Sequence, residues 1–160
     1  MIRAYVALGA NLGDPRATVT AALAALADIP TTTVAACSSL YQTAPVGLKH
    51  QPDFINAVAA IDTGLAPLAL LEALFALEAR FGRSRSIRNA ARTLDLDLLL
   101  HGETRLDEPR LTLPHPRMHQ RAFVLAPLAE IAPECQIPGQ GRVAGLLAAC
   151  ADQRIFRLPR

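Results

Sequence analysis

Phe54-Ile55-Asn56-Ala57-Val58-Ala59-Ala60-Ile61-Asp62-Thr63 leads into Pro67-Leu68-Ala69-Leu70-Leu71-Glu72-Ala73-Leu74-Phe75-Ala76-Leu77-Glu78-Ala79-Arg80-Phe81, and then comes Thr93-Leu94-Asp95-Leu96-Asp97-Leu98-Leu99-Leu100. The first run is β-prone and mostly apolar. The second carries Leu68, Leu71, Leu74, Phe75 and Leu77 at helical spacing until Gly82 closes it, and the third alternates leucine with aspartate at the period of a strand. A β-α-β unit follows. Upstream, Arg3 to Leu8 alternates as a strand, and Asp14-Pro15 pairs an N-cap with proline at the first helical position of a helix running to about Leu26. Thr31 to Tyr41 gives a further strand. The order βαββαβ, with both helices on one face of an antiparallel sheet, predicts a ferredoxin-like α+β fold. Short helices near Ala122–Ile131 and Val143–Ala151 and a final strand at Ile155–Leu158 read as C-terminal additions.

At 160 residues, 51% of them hydrophobic, the chain has the material of one domain spanning 1–160. No apolar run approaches the roughly 18 to 20 residues that cross a bilayer, and the N-terminus lacks the order of a signal peptide. A soluble, cytoplasmic protein without a membrane partner is expected. Cys37, Cys135 and Cys150 are scattered and read as buried thiols. The net charge of +2 gives no reason to expect a nucleic-acid partner, and nearly all positive charge is arginine, suited to forked contacts with phosphate oxygens.

The chemistry concentrates in two places. Asp95 and Asp97, two apart on a strand, share a face, and like charges roughly 6 to 7 Å apart call for a neutralising cation. Magnesium suits carboxylate and phosphate oxygens; a solvated, alternately charged strand is the bland alternative at about even odds. Arg80, Arg83, Arg85, Arg88 and Arg92 precede the pair with no acid between Glu78 and Asp95. Such a stretch repels itself unless an anion joins it, and a magnesium-bridged triphosphate would satisfy both clusters. Taken singly, each arginine is more readily an exposed loop residue.

A second polar group, Arg110, Thr112, His115 and Arg121, offers contacts to phosphates or a ribose. His115 and His119 are four apart, but Pro116 interrupts them and zinc is rejected. The common nucleotide-binding motifs are missing, so arginines and magnesium must hold any ATP. An RNA-binding module would need aromatic residues across its strands, and a regulatory ligand-binding domain would give no reason for the acid pair to face an arginine loop.

The motifs Gly9-Ala10-Asn11-Leu12-Gly13, Tyr41-Gln42-Thr43-Ala44-Pro45-Val46-Gly47, Gln51 to Ala57, Arg88 to Asp97 and Pro114-His115-x-x-Met118-x-x-Arg121-x-Phe123 resemble, across nearly the whole chain, the 6-hydroxymethyl-7,8-dihydropterin pyrophosphokinase family of folate biosynthesis. The resemblance implies an ATP- and magnesium-dependent enzyme moving a pyrophosphoryl group to the pterin's hydroxymethyl, releasing AMP. It implies that Asp95 and Asp97 hold two magnesium ions and, with Arg83 and Arg92, form the catalytic set. Leu71, Glu78, Arg83, Arg85, Arg92, Leu98, Arg110, Thr112, His115 and Arg121 would surround ATP. Phe54 and Phe123 would sandwich the pterin, with Asn56 on its edge and Thr43, Ala44 and Val46 supplying backbone and wall. The resemblance also implies a monomer. The chain departs from many relatives in lacking tryptophan, with Asn89-Ala90-Ala91 before Arg92.

Overall fold

A computed structural model of the chain describes residues 1–44, 52–82 and 94–159. In chain order the elements are β1 (Ile2–Ala10), α1 (Pro15–Ala25), β2 (Thr32–Cys37), β3 (Tyr41–Thr43), β4 (Phe54–Thr63), α2 (Pro67–Arg80), β5 (Asp95–His101), β6 (Leu106–Asp107), β7 (Thr112–Leu113), α3 (Ala122–Ile131), β8 (Gln136–Ile137), β9 (Gly141–Arg142), α4 (Val143–Ala148) and β10 (Phe156–Arg157). The main sheet runs β10-β3-β4-β1-β5, with β2 also pairing β4 and every pairing antiparallel. Because β1 and β2 both run against β4, and β4 and β5 both run against β1, each helix closes a split βαβ half. The ferredoxin-like α+β expectation holds.

Apolar side chains cover both faces of this sheet, which is why β4 reads as a nearly continuous apolar run rather than an alternating one. On one face Val6, Leu8, Leu96, Leu98 and Ile61 pack against Val19, Ala22, Leu70 and Leu74 of α1 and α2. On the other face Val58, Leu99 and Leu100 pack against Met118, Leu125 and Leu128 of the α3 region and Val143 of α4. The C-terminal segments therefore build a second layer. At about 25 cal/mol per Å² of apolar area, each fully buried leucine contributes on the order of 2 kcal/mol.

Local chemistry sets the ends. Asp14 caps α1 by accepting the Ala17 N–H at 3.1 Å, and Pro15 and Pro67 open their helices. The single strand expected over Thr31 to Tyr41 is two, because regular pairing ends after Cys37: the Ser38 N–H still donates to Val58 O at 2.9 Å, but Ser39 turns away to α3. Ser38 Oγ takes the Val58 N–H at 2.9 Å, and the Ser39 N–H goes to the Glu130 carboxylate on α3 at 2.9 and 3.0 Å. The expected final strand shortens to β10, which joins the main sheet beside β3. The helix expected to reach Ala151 ends at Ala148. Of the three free cysteines only Cys150 is buried; Cys37 and Cys135 are half-buried, which corrects the reading of all three as core thiols. No helix among the described residues is long and apolar enough to cross a membrane.

Candidate active site

The strand register assembles the polar residues. Asp95 lies opposite Gly9, Gly9 opposite Asn56, and Asn56 opposite Tyr41, so a row of four residues crosses β5, β1, β4 and β3. The next row holds Asp97, Ala7 and Val58. Directly opposed residues project to one face. Val58 belongs to the cluster beneath α3, which places Asp95, Asp97 and Asn56 on the α3 side of the sheet. Leu96 and Leu98, the alternate residues, point into the α1–α2 core. Asp95 is half-buried and Asp97 exposed, so the expected shared face is present and open to solvent at one end. A β-bulge follows: the β1–β5 register shifts between Tyr5 and Val6, leaving Leu99 as the extra residue.

That extra residue anchors the segment above the acids, since Leu99 O accepts the His115 N–H at 3.0 Å. The chain then makes a 3₁₀ turn at Met118–Gln120 and enters α3 through Arg121. Gln153 fixes this entry by accepting the Ala122 N–H and donating to Gln120 O, both at 2.8 Å. The Arg121 guanidinium carbon lies 5.3 Å from the centre of the Phe123 ring, within cation–π range. Burial lowers the Arg121 pKa from its usual value, the Arg117 charge adds to that, and Asp97 opposes both. Burial likewise lowers the His115 pKa; Asp97 opposes it, while Arg121 and Arg117 reinforce it. The His115 Nδ1 accepts the Arg117 N–H at 3.3 Å. Asp97, His115, Arg121 and Arg117 thus share one electrostatic neighbourhood.

Arg117 is the member the sequence reading passed over. Its signal was available, because no acid occurs between Glu108 and Glu130 while Arg110, Arg117, Arg121, His115 and His119 all do.

The other residues expected around ATP flank the opposite side of the β5 edge. Leu71 and Leu98 are buried in the α1–α2 core. Glu78 is buried too, and its Oε2 accepts the Leu96 N–H at 2.8 Å, tying α2 to the strand that bears both acids. Arg110 is ion-paired with Glu72 of α2. Thr112 sits in β7, paired with Asp107 of β6. The expected nucleotide contacts therefore fall into two groups with the β5 edge between them. Arg83, Arg85 and Arg92 lie outside the described residues, as does Val46.

Among the residues expected around the pterin, Phe54 is half-buried opposite Thr43, and Asn56 is buried with its Nδ2 donating to Thr43 Oγ1 at 2.9 Å. Phe123 packs half-buried on the cluster beneath α3, and Ala44 is exposed. No group of three potential metal ligands occurs among the described residues. Two carboxylates are nonetheless a fitting donor set for magnesium, which binds through one or two carboxylates and completes its octahedron with phosphate oxygens and water.

Fold and site together define a ferredoxin-like α+β protein with an acid pair on an edge strand, Asp97 of that pair beside a cationic segment, and a buried amide in the same row as Asp95. The family model for 7,8-dihydro-6-hydroxymethylpterin-pyrophosphokinase (HPPK) matches residues 5–133. The chain belongs to this family. A 2-amino-4-hydroxy-6-hydroxymethyldihydropteridine pyrophosphokinase of Pseudomonas aeruginosa is 53% identical over 157 residues, covering 98% of this chain and 97% of that protein. The Haemophilus influenzae protein of the same description is 44% identical over 158 residues and 99% of each chain. Among solved structures, an HPPK-DHPS in complex with substrates superposes with a TM-score of 0.78 at 12% identity, over 94% of this chain and 43% of that one. A Plasmodium falciparum HPPK-DHPS gives 0.71 at 13%, over 93% and 43%. This chain spans less than half of those longer proteins, and at such identities the likeness establishes the fold alone.

Proposed function

We propose that this chain transfers the pyrophosphoryl group of ATP to the hydroxymethyl group of 6-hydroxymethyl-7,8-dihydropterin, releasing AMP, as a step of folate biosynthesis. The observation that carries the reading is the shared face of Asp95 and Asp97 on β5, with Asp97 within electrostatic reach of His115 and Arg121 and Asp95 in one row with Asn56. The near-full-length identity of 53% supports it independently.

Asp95 and Asp97 hold two magnesium ions in this reading, and those ions supply charge neutralisation for the phosphate oxygens. His115 and Arg121 face the phosphates from above, Arg83, Arg85 and Arg92 from the segment that follows α2. Leu71, Glu78, Leu98, Arg110 and Thr112 attend the nucleotide from the α2 side of the β5 edge. Phe54 and Phe123 stack on the pterin while Asn56, Thr43, Ala44 and Val46 meet its edge. With both substrates so held, the hydroxyl oxygen bonds to the β-phosphorus in line and its proton passes to solvent, while the bond from that phosphorus to the bridging α-phosphate oxygen breaks and AMP leaves with that oxygen. Positioning and fixed charge carry most of the acceleration. The protein works as a cytoplasmic monomer without nucleic-acid or membrane partners.

The test is product analysis with the hydroxymethyl pterin, ATP and magnesium. AMP must appear in step with pyrophosphorylated pterin; ADP instead would refute the two-phosphate transfer. Asp95→Asn and Asp97→Asn are each expected to lower turnover by about a hundredfold or more, in line with lost electrostatic stabilisation at a phosphoryl-transfer site.

A further inference from the structure

Gly9 stands in the middle of the four-residue row, between Asn56 and Asp95, yet nothing in its backbone calls for glycine. It is a buried residue inside β1, and it is not one of the chain's positive-φ glycines. Alanine would serve a strand interior better, so a glycine there marks a close approach by another group. That group is the Asn56 amide: a methyl on Gly9 would stand 3.0 Å from Asn56 Oδ1, tighter than ordinary van der Waals contact, and 3.9 Å from Ile55 O. The amide cannot shift freely to make room, because its Nδ2 is held by Thr43 Oγ1 at 2.9 Å.

We propose that Gly9 is a positioning residue for the pterin: its bare Cα lets the Asn56 amide lie against β1 and keeps open the path along the row from that amide to Asp95. Asn56 and Asp95 are two inter-strand steps apart, about 10 Å, and Gly9 is the only residue between them in the row. A side chain at position 9 displaces the amide that holds the ring and so misdirects the hydroxymethyl arm from the acids. Gly9 touches neither substrate's reacting atoms, so its effect runs through Asn56.

This inference rests on the pterin reading above, and the experiment separates the two. Binding of 6-hydroxymethylpterin and of magnesium-ATP is measured by calorimetry for the full chain, Gly9→Ala, Thr43→Val and the double variant, with thermal melts as a check on folding. Gly9→Ala is expected to weaken pterin binding by about tenfold or more, the scale of one misplaced hydrogen bond, and to leave ATP binding within about twofold. Thr43→Val frees the amide to yield, so Gly9→Ala is expected to cost less pterin binding in the Thr43→Val background than in the parent, the non-additivity of two restraints on one group. Parent-like pterin binding by Gly9→Ala, or losses that multiply in the double variant, would overturn the inference while leaving the pterin reading intact. Should Gly9→Ala fail to fold, it is combined with Asn56→Ala, which removes the amide oxygen the methyl would meet; recovery of folding in the melt supports the close approach, and continued failure to fold overturns it. Absence of pterin binding by the unsubstituted chain would overturn both.

Discussion

Replacing Glu130 with glutamine should unfasten the C-terminal layer from the sheet. Its carboxylate accepts the Ser39 N–H at 2.9 and 3.0 Å, the Ser39 hydroxyl at 2.9 Å, the Tyr41 hydroxyl at 2.8 Å and the Arg157 guanidinium at 3.1 Å. One side chain of α3 thus holds the break between β2 and β3 and the strand β10. The Glu130 side chain is only 11% exposed, so water replaces little of what is lost. Glutamine keeps one oxygen and turns an NH₂ toward donors, leaving at least one of them without an acceptor at about 1–3 kcal/mol. With the lost charge assistance on the remaining bonds, a destabilisation of about 2–4 kcal/mol follows. At about 2–4 °C per kcal/mol for a domain of this size, Tm should fall by about 4–16 °C in a thermal melt.

The same carboxylate fixes the pH dependence. Burial raises the Glu130 pKa, but the Ser39 N–H, the Tyr41 and Ser39 hydroxyls and Arg157 outweigh it and hold it below the ordinary 4.5. A depressed folded pKa means that the stabilisation is present above the unfolded value and disappears as pH falls through the folded one. The Tm gap between the parent and Glu130→Gln should therefore be full at neutral pH and narrow below about pH 4.5. A Glu130→Gln melt within about 1 °C of the parent, on a scale of 2–4 °C per kcal/mol, or a gap insensitive to acid, would refute this account of the cluster.

Two further substitutions probe the β5 edge. Glu78→Ala removes the acceptor of a buried backbone N–H, and should cost about 2–4 kcal/mol in a denaturant melt, with Glu78→Gln recovering most of it because the amide oxygen can still take the Leu96 N–H; equal losses in the two variants would mean that the bond is not what matters. Glu72→Gln releases Arg110 from its ion pair and is expected to lower KM for ATP by about two- to fivefold, the worth of an exposed pair; a raised KM would show that the pair orients Arg110 rather than competing for it.

Much of this architecture is legible in the sequence because its signals are local. The bounds of β4 and the starts of α1 and α2 follow from β-prone runs, a capping aspartate and two prolines placed first in their helices. The shared face of Asp95 and Asp97 follows from strand periodicity alone. The break at Ser38-Ser39 is not legible, since it depends on Glu130, 91 residues away, supplying an acceptor that β4 would otherwise provide. The bond from the Leu96 N–H to Glu78 Oε2 is a second contact that no local signal gives, since it joins a helix to the strand that follows it. The division of the expected ATP contacts between the α3 and α2 sides of β5 is also a tertiary fact. The arginines at 83, 85 and 92 fall outside the described residues, so their part stays with the proposed function.

The row of Tyr41, Asn56, Gly9 and Asp95 draws one residue from each of four strands, and its pairings of Gly9 with Asn56 and with Asp95 join parts far apart along the chain. Such long loops close late in refolding. Helical signal should accordingly return in a refolding experiment before the ability to bind pterin does, which makes ligand capture a reporter of the final zippering of the sheet rather than of chain collapse.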